Sequence, residues 1–413
     1  MTDIFDVLVV GGGPVGTSAA ALLLRGSSGS GSSYSSGPLQ ICVLEPNRPR
    51  SPPQDSPLEA RVVAVSRASE HILKSAGAWD RVLGPRVGAY ERMRIWHESV
   101  APSSAGALVF DAAEVGEPNL GYIVENRLLQ AALLDEVAAL GGRIEPAGLL
   151  GLHAGPEFVS VETTTGPLSA RLVIGADGAK SAVRQLLGLT ADIADFNETA
   201  IVATVATERP HEKTAWQRFM RRGTLAFLPL ADGASSIVWS ADNDVATVLK
   251  GMSATEFAAE LDRASDLALG STRLLSERVT FPLQRLAAHR YVAHRCALIG
   301  DAAHVVHPLA GQGVNLGLLD AAALAELILA ARREREDPGA LRVLRQYERW
   351  RKSEVAFMST AISAFDRFLA HGSGPVSRLA QRGLGLVNRS QEIKRFFVSR
   401  ALGVAGELPR AAR

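Results

Sequence analysis

The sequence predicts an α/β fold joined to a sheet-rich second domain and a C-terminal helical segment. The chain opens on a buried strand, a glycine-rich turn and a helix, which together indicate the start of a βαβ unit. Short β-like segments then follow one another between residues 199 and 281, and a basic helical tail ends the chain. The 413 residues are 47% hydrophobic and 21% charged, a globular composition that excludes a disordered chain or a coiled-coil rod.

The first elements follow from local composition. Ile4–Val10 is an apolar run with β-branched residues, and it predicts a buried strand. Thr17–Arg25 is rich in Ala and Leu and predicts a helix. Gly26–Pro38 is a Gly/Ser tract without apolar anchors, which indicates a surface loop. Leu39–Leu44 is the next predicted strand, and the Pro-rich stretch Asn47–Pro57 is expected to be irregular.

Later elements follow from the same patterns. Asn126 is expected to cap a helix that runs to about Leu140, because Leu129, Leu133 and Val137 share one face. One helical stretch is expected to interrupt the β-like segments between residues 199 and 281. The other predicted elements are strands at Phe158–Thr164, Arg171–Ile174, Ala200–Val205, Leu225–Leu228, Ser236–Trp239 and Arg295–Ile299, and a helix at Leu318–Arg333.

Charge and cysteine content limit the compartment and the partners. The net charge is +1, but residues 341–413 contain 14 Lys/Arg and 5 Asp/Glu, so this tail carries +9 and the rest of the chain −8. Two cysteines, Cys42 and Cys296, are too few for a disulfide framework and favour a reducing compartment. Val7–Leu24 is uncharged, but its glycines would break a membrane-spanning helix. The acidic start of the chain is unlike a secretory signal, so we expect a cytoplasmic protein.

A dinucleotide-binding motif occupies the first turn. Gly11, Gly13 and Gly16 fit the pattern G-x-G-x-x-G between a strand and a helix. Such glycines let backbone N–H groups approach a pyrophosphate at the positive end of the helix. Glu45 ends the next strand, where its carboxylate can accept hydrogen bonds from a ribose diol. It lies 29 residues past Gly16, and the Gly/Ser tract accounts for a spacing above the usual ~20 residues.

The fingerprint alone does not distinguish NAD from FAD, but two later motifs do. Residues 172–178 place Asp177 and a glycine after a strand, and residues 297–304 place Gly300 and Asp301 after another. Here the sequence resembles the flavin-dependent aromatic hydroxylases of the p-hydroxybenzoate hydroxylase type. The resemblance implies that Gly300 and Asp301 hold the ribityl chain of FAD. It also implies that Asp177 lies near both FAD and the path of NAD(P)H.

A longer motif narrows this resemblance. Residues 307–320 read His-Pro-Leu-Ala-Gly-Gln-Gly-Val-Asn-Leu-Gly-Leu-Leu-Asp, which matches the signature of the ubiquinone-biosynthesis hydroxylases nearly residue by residue. The departures are small, since Glu59 stands where Asp is usual and Leu319 where bacterial members often have Arg. The resemblance covers almost the whole chain, because further segments agree in order at residues 59–66, 226–230, 235–240, 281–283 and 347–403.

The residue patterns and the resemblance together give the candidate site. Glycines at 311 and 313 leave room for a flat ring against the backbone, and N–H groups at a helix start can stabilise negative charge there. Arg61 and Arg127 are included because they match family arginines near FAD. No catalytic residue is assigned, although His307 and Pro308 are candidates for contact with the substrate or the flavin edge. The expected FAD-binding residues are Gly11, Gly13, Pro14, Val15, Gly16, Glu45, Arg61, Arg127, Asp177, Gly300, Asp301, Pro308, Gly311, Gly313, Val314 and Asn315.

The resemblance implies a class A flavoprotein monooxygenase. Such an enzyme uses FAD, O₂ and NAD(P)H as a transient electron donor to hydroxylate an aromatic ring, here a polyprenylated phenol on the way to ubiquinone. Only one dinucleotide fingerprint occurs, so NAD(P)H is expected to have no domain of its own. The expected division is a discontinuous, Rossmann-like FAD-binding domain (1–80, 120–190 and 290–335), a β-sheet substrate domain (81–119 and 191–289) and a C-terminal helical segment (336–413).

The sequence is compatible with two alternative functions. A flavoenzyme of the same fold acting on another aromatic or isoprenoid substrate remains open, as does a non-catalytic scaffold subunit. Asp301, His304 and His307 are spaced as D-x-x-H-x-x-H, but they lie within the flavin motif, so no metal is expected. The basic tail shows neither aromatics interleaved on a predicted sheet nor a known nucleic-acid-binding motif, so no nucleic-acid partner is expected.

The tail also contains a helical stripe. Val355, Met358, Ile362, Phe365 and Leu369 recur at spacings of three and four residues. Such a stripe is typical of a helix that closes the core, and it can also form a surface for a membrane or a partner. Together with the +9 charge, it predicts docking at the inner-membrane surface or on a membrane-bound ubiquinone-biosynthesis complex.

Overall fold

The computed structural model describes residues 4–28, 37–307, 312–369, 403 and 406–413. The helices are α1 (Pro14–Ser28), α2 (Arg67–Ala76), α3 (Trp79–Val82), α4 (Asn126–Ala139), α5 (Ala182–Leu186), α6 (Asn243–Gly251), α7 (Ala254–Ala264), α8 (Gln312–Arg333) and α9 (Leu341–Leu369). The strands are β1 (Ile4–Val10), β2 (Ile41–Leu44), β3 (Val62–Ser66), β4 (Gly88–Tyr90), β5 (Arg92–His97), β6 (Leu108–Asp111), β7 (Gly121–Glu125), β8 (Arg143–Glu145), β9 (Leu149–Ala154), β10 (Val159–Thr163), β11 (Gly166–Gly175), β12 (Ala191–Thr207), β13 (Thr214–Met220), β14 (Gly223–Pro229), β15 (Ser235–Asp242), β16 (Thr272–Leu274), β17 (Val279–Ala288), β18 (Val292–Ala293), β19 (Cys296–Leu298) and β20 (His304–Val305).

The first sheet is largely parallel and carries the glycine turn. Its order is β18-β19-β11-β1-β2-β8, and β10 and β9 extend it beside β11. Strand β1 runs parallel to both β2 and β11, so the carboxyl ends of these strands meet at one edge. Helices α1, α4 and α8 share one hydrophobic core with this sheet, and that core includes Leu8, Leu23, Leu129 and Leu324. The predicted α/β class is therefore confirmed.

The second sheet has nine strands and is almost wholly antiparallel. Its order is β20-β17-β12-β15-β14-β13-β5-β6, with β16 beside β12 and a parallel pairing between β13 and β5. Strand β12 bulges between Asp195 and Glu198, and Asn197 there has a positive φ of 57°. A separate core, which includes Trp239 and Phe257, joins this sheet to α6 and α7. The antiparallel sheet predicted for this region is therefore present.

Two local expectations were incomplete and one was wrong. Two helices, α6 and α7, interrupt the antiparallel sheet where one was expected. The predicted strand Ala200–Val205 is part of a 17-residue strand that pairs with three others. Asn126 is the first helical residue of α4 and not its cap. Glu125 holds the cap position, and its carboxylate bonds to Arg86, so it caps nothing.

The domain boundaries remain a prediction. Two short strands do not follow these boundaries. Strand β20, in the segment 290–335 assigned to the FAD-binding domain, joins the nine-stranded sheet. Strand β4, in the segment 81–119 assigned to the substrate domain, pairs with β7 in a small third sheet, β3-β7-β4. Within the described residues, one stretch, Gly313–Arg333 in α8, is long and apolar enough to span a membrane, and 72% of its apolar window is buried inside the protein.

Helix α9 contains the stripe predicted in the tail. Val355 is buried and Met358 is partly buried. The side chains of Ile362, Phe365 and Leu369 fall outside the described part of the chain. The stripe therefore contacts the protein at its start, and its remainder stays a prediction.

Candidate functional site

The glycine turn between β1 and α1 is closely packed at Gly11 and Gly16 and open at Gly13. Gly11 has φ +108° and donates its N–H to the Leu44 carbonyl at 3.0 Å. A Cβ at Gly11 would lie 2.4 Å from the Ala176 carbonyl oxygen, and one at Gly16 would lie 2.2 Å from the Gly11 oxygen. A Cβ at Gly13 would meet nothing within 4 Å. Open space therefore lies at Gly13, beside Pro14, which begins α1.

Glu45, which the motif assigns to a ribose, closes one side of this turn. Its Oε2 accepts a hydrogen bond from the Gly12 N–H at 3.0 Å, and its Oε1 accepts one from the Asn47 N–H at 2.9 Å. Gln130 of α4 donates from Nε2 to the Gly12 carbonyl at 3.0 Å. Sequence reasoning missed Gln130, because its position beside the turn depends on how α4 docks on the first sheet.

Asp301, after β19, and Arg61, just before β3, lie close enough for their charges to interact. Gly300, with φ +59°, turns the chain after β19, and Asp301 follows it with a solvent-accessible side chain. Desolvation by the surrounding protein raises the pKa of the Asp301 carboxyl, and the charges of His304 and Arg61 oppose this shift. An accessible carboxyl that is desolvated lies in a recess of the protein. The Arg61 guanidinium lies 5.9 Å from the centre of the Phe281 ring on β17.

The loop that leads to Arg61 is held by a buried arginine. Arg86 binds Glu125 through two hydrogen bonds of 2.7 Å, and both side chains are less than a tenth exposed. Its other N–H groups donate to the carbonyls of Pro53 at 2.9 Å and Ser56 at 2.7 Å. Glu125 also accepts the Glu59 N–H at 2.8 Å. Neither Arg86 nor Glu125 carries a sequence signal, because their pairing joins elements 39 residues apart.

Arg127 supports the same loop. It donates from Nη1 to the Glu59 carboxylate at 2.9 Å and from Nε to the Arg50 carbonyl at 2.8 Å. Glu59 is the position where the related family usually has Asp. The Arg127 guanidinium therefore joins Arg50 to Glu59, two residues before Arg61.

The start of α8 presents open backbone. Among the residues that the structure describes, a Cβ at Gly313 would meet nothing within 4 Å, whereas Val314 packs against the first core. The Asn315 side chain accepts the Ser66 N–H at 3.0 Å and donates to the Ala64 carbonyl at 2.9 Å, which ties the helix start to β3. Pro308 and Gly311, which the motif also implicates, lie outside the described residues.

His307 follows β20 and contacts strand β12 of the nine-stranded sheet. Its Nε2 lies 3.1 Å from the Glu198 carboxylate at the β12 bulge, and its ring meets Phe196 edge to face at 4.8 Å. Its buried Nδ1 has no hydrogen-bond partner within the described part of the chain. His304 instead pairs with Asp320, so the D-x-x-H-x-x-H residues go to different partners. Within the described ranges, no three His, Cys, Asp or Glu side chains converge on a point that could hold a metal.

Asp177 lies beside the glycine turn, but its carboxylate serves α5. One oxygen accepts the Ser181 hydroxyl at 2.5 Å, and the other accepts the Val183 N–H at 3.0 Å. The neighbouring Ala176 donates its N–H to the Val10 carbonyl and lies directly under Gly11. A contact between Asp177 and a cofactor therefore stays a prediction.

These features fit an extended dinucleotide. Open space at Gly13 and the positive end of α1 suit a pyrophosphate, and Glu45 suits a ribose diol. The desolvated carboxyl of Asp301 suits a chain of hydroxyl groups, which can bond to it as water does. The three positions lie at the carboxyl ends of β1, β2 and β19, where open α/β sheets bind ligands.

Comparisons with known proteins identify the cofactor and the family. Residues 151–358 match the family model described as "FAD binding domain". The chain is 35% identical to ubiquinone hydroxylase UbiL of Rhodospirillum rubrum, over 99% of this chain and 92% of that one. It is 34% identical to 3-demethoxyubiquinol 3-hydroxylase of Escherichia coli, over 97% and 98%. The fold matches p-nitrophenol 4-monooxygenase PnpA of Pseudomonas putida with a TM-score of 0.74 at 21% identity, over 99% and 100% of the two chains. The chain belongs to the family of FAD-dependent hydroxylases of ubiquinone biosynthesis.

Proposed function

We propose that this enzyme hydroxylates the aromatic ring of a polyprenylated phenol, using FAD, O₂ and NAD(P)H. The observation that carries the proposal is that Arg61 lies 5.9 Å from the Phe281 ring of the nine-stranded sheet and close enough to Asp301 for its charge to affect that carboxyl. This arrangement brings a face of the nine-stranded sheet, 36% exposed at Phe281, beside the expected cofactor site. The relatives named as ubiquinone and 3-demethoxyubiquinol hydroxylases support a phenol or quinol as the substrate class.

Each predicted FAD-binding residue has an expected role in holding FAD. Gly11–Gly16 would take the pyrophosphate and Glu45 a ribose. Gly300 and Asp301 would take the ribityl chain, and Gly313–Asn315, with Pro308 and Gly311, would take the flavin ring. Arg61 would contact the cofactor directly. Arg127 and Asp177 would act on it through the loop and the turn that they support.

Bound FAD supplies the redox chemistry, which consists of accepting a hydride from NAD(P)H and activating O₂. The side chains of this protein orient the phenol and exclude water. Phe281 offers an aromatic face for a ring, and Arg61 beside it offers a cation for a developing phenolate. Backbone N–H groups at the start of α8 can stabilise negative charge near Gly313.

Labelled oxygen tests the reaction class. Purified protein with FAD, NAD(P)H and a short-chain prenylated phenol is expected to give a hydroxylated product that contains one ¹⁸O atom from ¹⁸O₂. A hydride-only reaction on an isoprenoid double bond would proceed equally well without oxygen. Product formed under strict anaerobiosis, or without ¹⁸O, would therefore refute the proposal. A soluble phenol without a prenyl chain, tested in parallel, separates the substrate classes within the fold.

We also propose that the enzyme works at a membrane surface on the cytoplasmic side, because a polyprenyl chain partitions into the bilayer. Arg342, Arg345, Arg349 and Lys352 follow one another on the exposed face of α9. Anionic lipid attracts each nearby basic residue by about 1 kcal/mol. The expected result is flotation with anionic vesicles that salt and the pair Arg345→Gln/Arg349→Gln both reduce, whereas Arg273→Gln, on the nine-stranded sheet, does not. Flotation that neither salt nor this pair changes would contradict the proposal.

A further inference from the structure

A buried carboxylate lies directly behind the Gly300–Asp301 turn. Asp320, near the middle of α8, is fully buried and accepts three hydrogen bonds. They come from the Gly300 N–H at 3.0 Å, His304 Nε2 at 2.6 Å and Arg351 Nε at 2.7 Å. His304 and Arg351 are themselves only about 3% exposed. A charge this deep persists only when it is fully paired, so the cluster depends on all three donors.

The three donors belong to different parts of the chain. Gly300 follows β19, His304 begins β20, and Arg351 comes from α9, 31 residues beyond Asp320. Arg351 also reaches the Leu316 carbonyl at 3.5 Å, at the start of α8. One carboxylate therefore ties the C-terminal helix to the turn that carries Asp301.

The Gly300 bond sets the conformation of that turn. Gly300 is buried with φ +59°, and its N–H donates to Asp320. Fixing this N–H on Asp320 therefore fixes the backbone immediately before Asp301. Tyr347 of α9 adds a second tie, because its hydroxyl donates to the Leu298 carbonyl of β19 at 2.8 Å.

Electrostatics keeps Asp320 ionised. Burial alone would raise the pKa of its carboxyl, but the charges and hydrogen bonds of His304 and Arg351 hold that pKa below its usual range. Without Arg351, the carboxylate would have to take up a proton or turn toward His304. Either change weakens the acceptor that Gly300 uses.

The structure assigns Asp320 and Arg351 as positioning residues for FAD, acting through the Gly300–Asp301 turn although neither reaches the recess. This inference rests on the proposed role of Asp301 in holding the cofactor. It makes α9 part of the flavin site and not only a helix that closes the core.

The test compares Arg351→Met and Asp320→Asn with a matched control, Arg295→Met. Arg295 is another buried arginine that pairs with a carboxylate, Asp337, near the start of α9, but it does not touch the turn. Apoprotein is titrated with FAD by flavin fluorescence, and the reduction potential of the bound flavin and the thermal unfolding of each variant are measured.

Both cluster variants are expected to weaken FAD binding about tenfold or more and to shift the flavin potential. Arg351→Lys, which keeps a cation but loses the planar fork, should restore part of the affinity. The control should unfold earlier with unchanged affinity and potential. If Arg351→Met loses only stability while its folded fraction keeps wild-type affinity and potential, the inference is wrong. Should that variant not fold, unchanged affinity and potential in Asp320→Asn overturn it equally.

No substrate enters these measurements. Failure to hydroxylate a prenylated phenol would therefore leave the positioning result standing. Conversely, unchanged FAD binding in the cluster variants would leave the proposed reaction standing.

Discussion

The two turns of the expected cofactor site are supported in different ways. The Gly11–Gly16 turn is held by its immediate neighbours in the sheet, through Leu44 on β2 and Ala176 after β11. The Gly300–Asp301 turn is held by side chains of two helices that follow it in the chain, α8 and α9. The first support is backbone packing between neighbouring strands, whereas the second is electrostatic and comes from side chains on helices. The same cofactor site thus depends on two kinds of interaction that mutations disturb differently.

The largest loss of stability is expected at a third support, the Arg86–Glu125 pair. Like the Asp320–Arg351 pair behind the Gly300–Asp301 turn, it is buried and joins residues that are distant in the sequence. Arg86→Met leaves Glu125 charged and unpaired and releases the carbonyls of the loop that leads to Arg61. Breaking a buried pair in this way costs about 3–5 kcal/mol, measurable by urea unfolding of the apoprotein.

A surface pair provides the control for this prediction. Arg92 and Glu212 lie 3.6 Å apart with exposed side chains, so Arg92→Met should cost less than about 1 kcal/mol. Equal losses in the two variants would show that burial is not what makes the Arg86 pair important.

The next effect tests the local turn. Gly11→Ala is expected to destabilise the apoprotein by about 2–4 kcal/mol, because the residue has φ +108° and its Cβ would meet the Ala176 carbonyl. Gly13→Ala, which has no such contact, should leave apoprotein stability unchanged and weaken only FAD binding. Thermal unfolding with and without FAD separates the two. Wild-type FAD affinity in Gly13→Ala would mean that the cofactor does not approach this position.

The sequence predicts the local turn and misses the long-range supports for a physical reason. The G-x-G-x-x-G pattern, β1 and the acid ending β2 are contiguous or adjacent in the sheet, so composition and periodicity describe them. Arg86–Glu125 and Asp320–Arg351 join residues 39 and 31 positions apart, and their pairing depends on how whole elements dock. The motif at 307–320 included Asp320, but nothing in it indicated that this carboxylate meets Arg351.

A smaller effect is expected for Asp301→Asn, which should raise the stability of the apoprotein and lower its affinity for FAD. Its pKa is raised in the apoprotein, mainly by desolvation, so the folded state binds a proton more readily than the unfolded state. Wild-type apoprotein should therefore gain stability as the pH falls through this raised pKa and lose it as the pH rises. Asp301→Asn should be more stable than wild type at neutral pH and lack this pH dependence.

The same variant should bind FAD about tenfold more weakly, because an amide is a poorer acceptor for ligand hydroxyls than a carboxylate. Urea unfolding from pH 4 to 8 and FAD titration give the two readouts. A variant that is less stable than wild type at neutral pH, or that binds FAD with full affinity, would remove Asp301 from the proposed ribityl contacts.

The smallest effect, at Asp177, distinguishes local support from cofactor contact. Both oxygens of this carboxylate are engaged with Ser181 and Val183 at the start of α5. Asp177→Asn keeps one acceptor and loses a negative charge near a helix N-terminus, which should cost about 1 kcal/mol or less. FAD affinity should stay within about twofold of wild type, well inside 1 kcal/mol. The sign of the stability change is thus opposite to that for Asp301→Asn, although both variants remove one carboxylate beside the recess. A tenfold loss of FAD affinity without loss of stability would instead place Asp177 on the cofactor, as the family resemblance implies, and would make its bonds to α5 secondary.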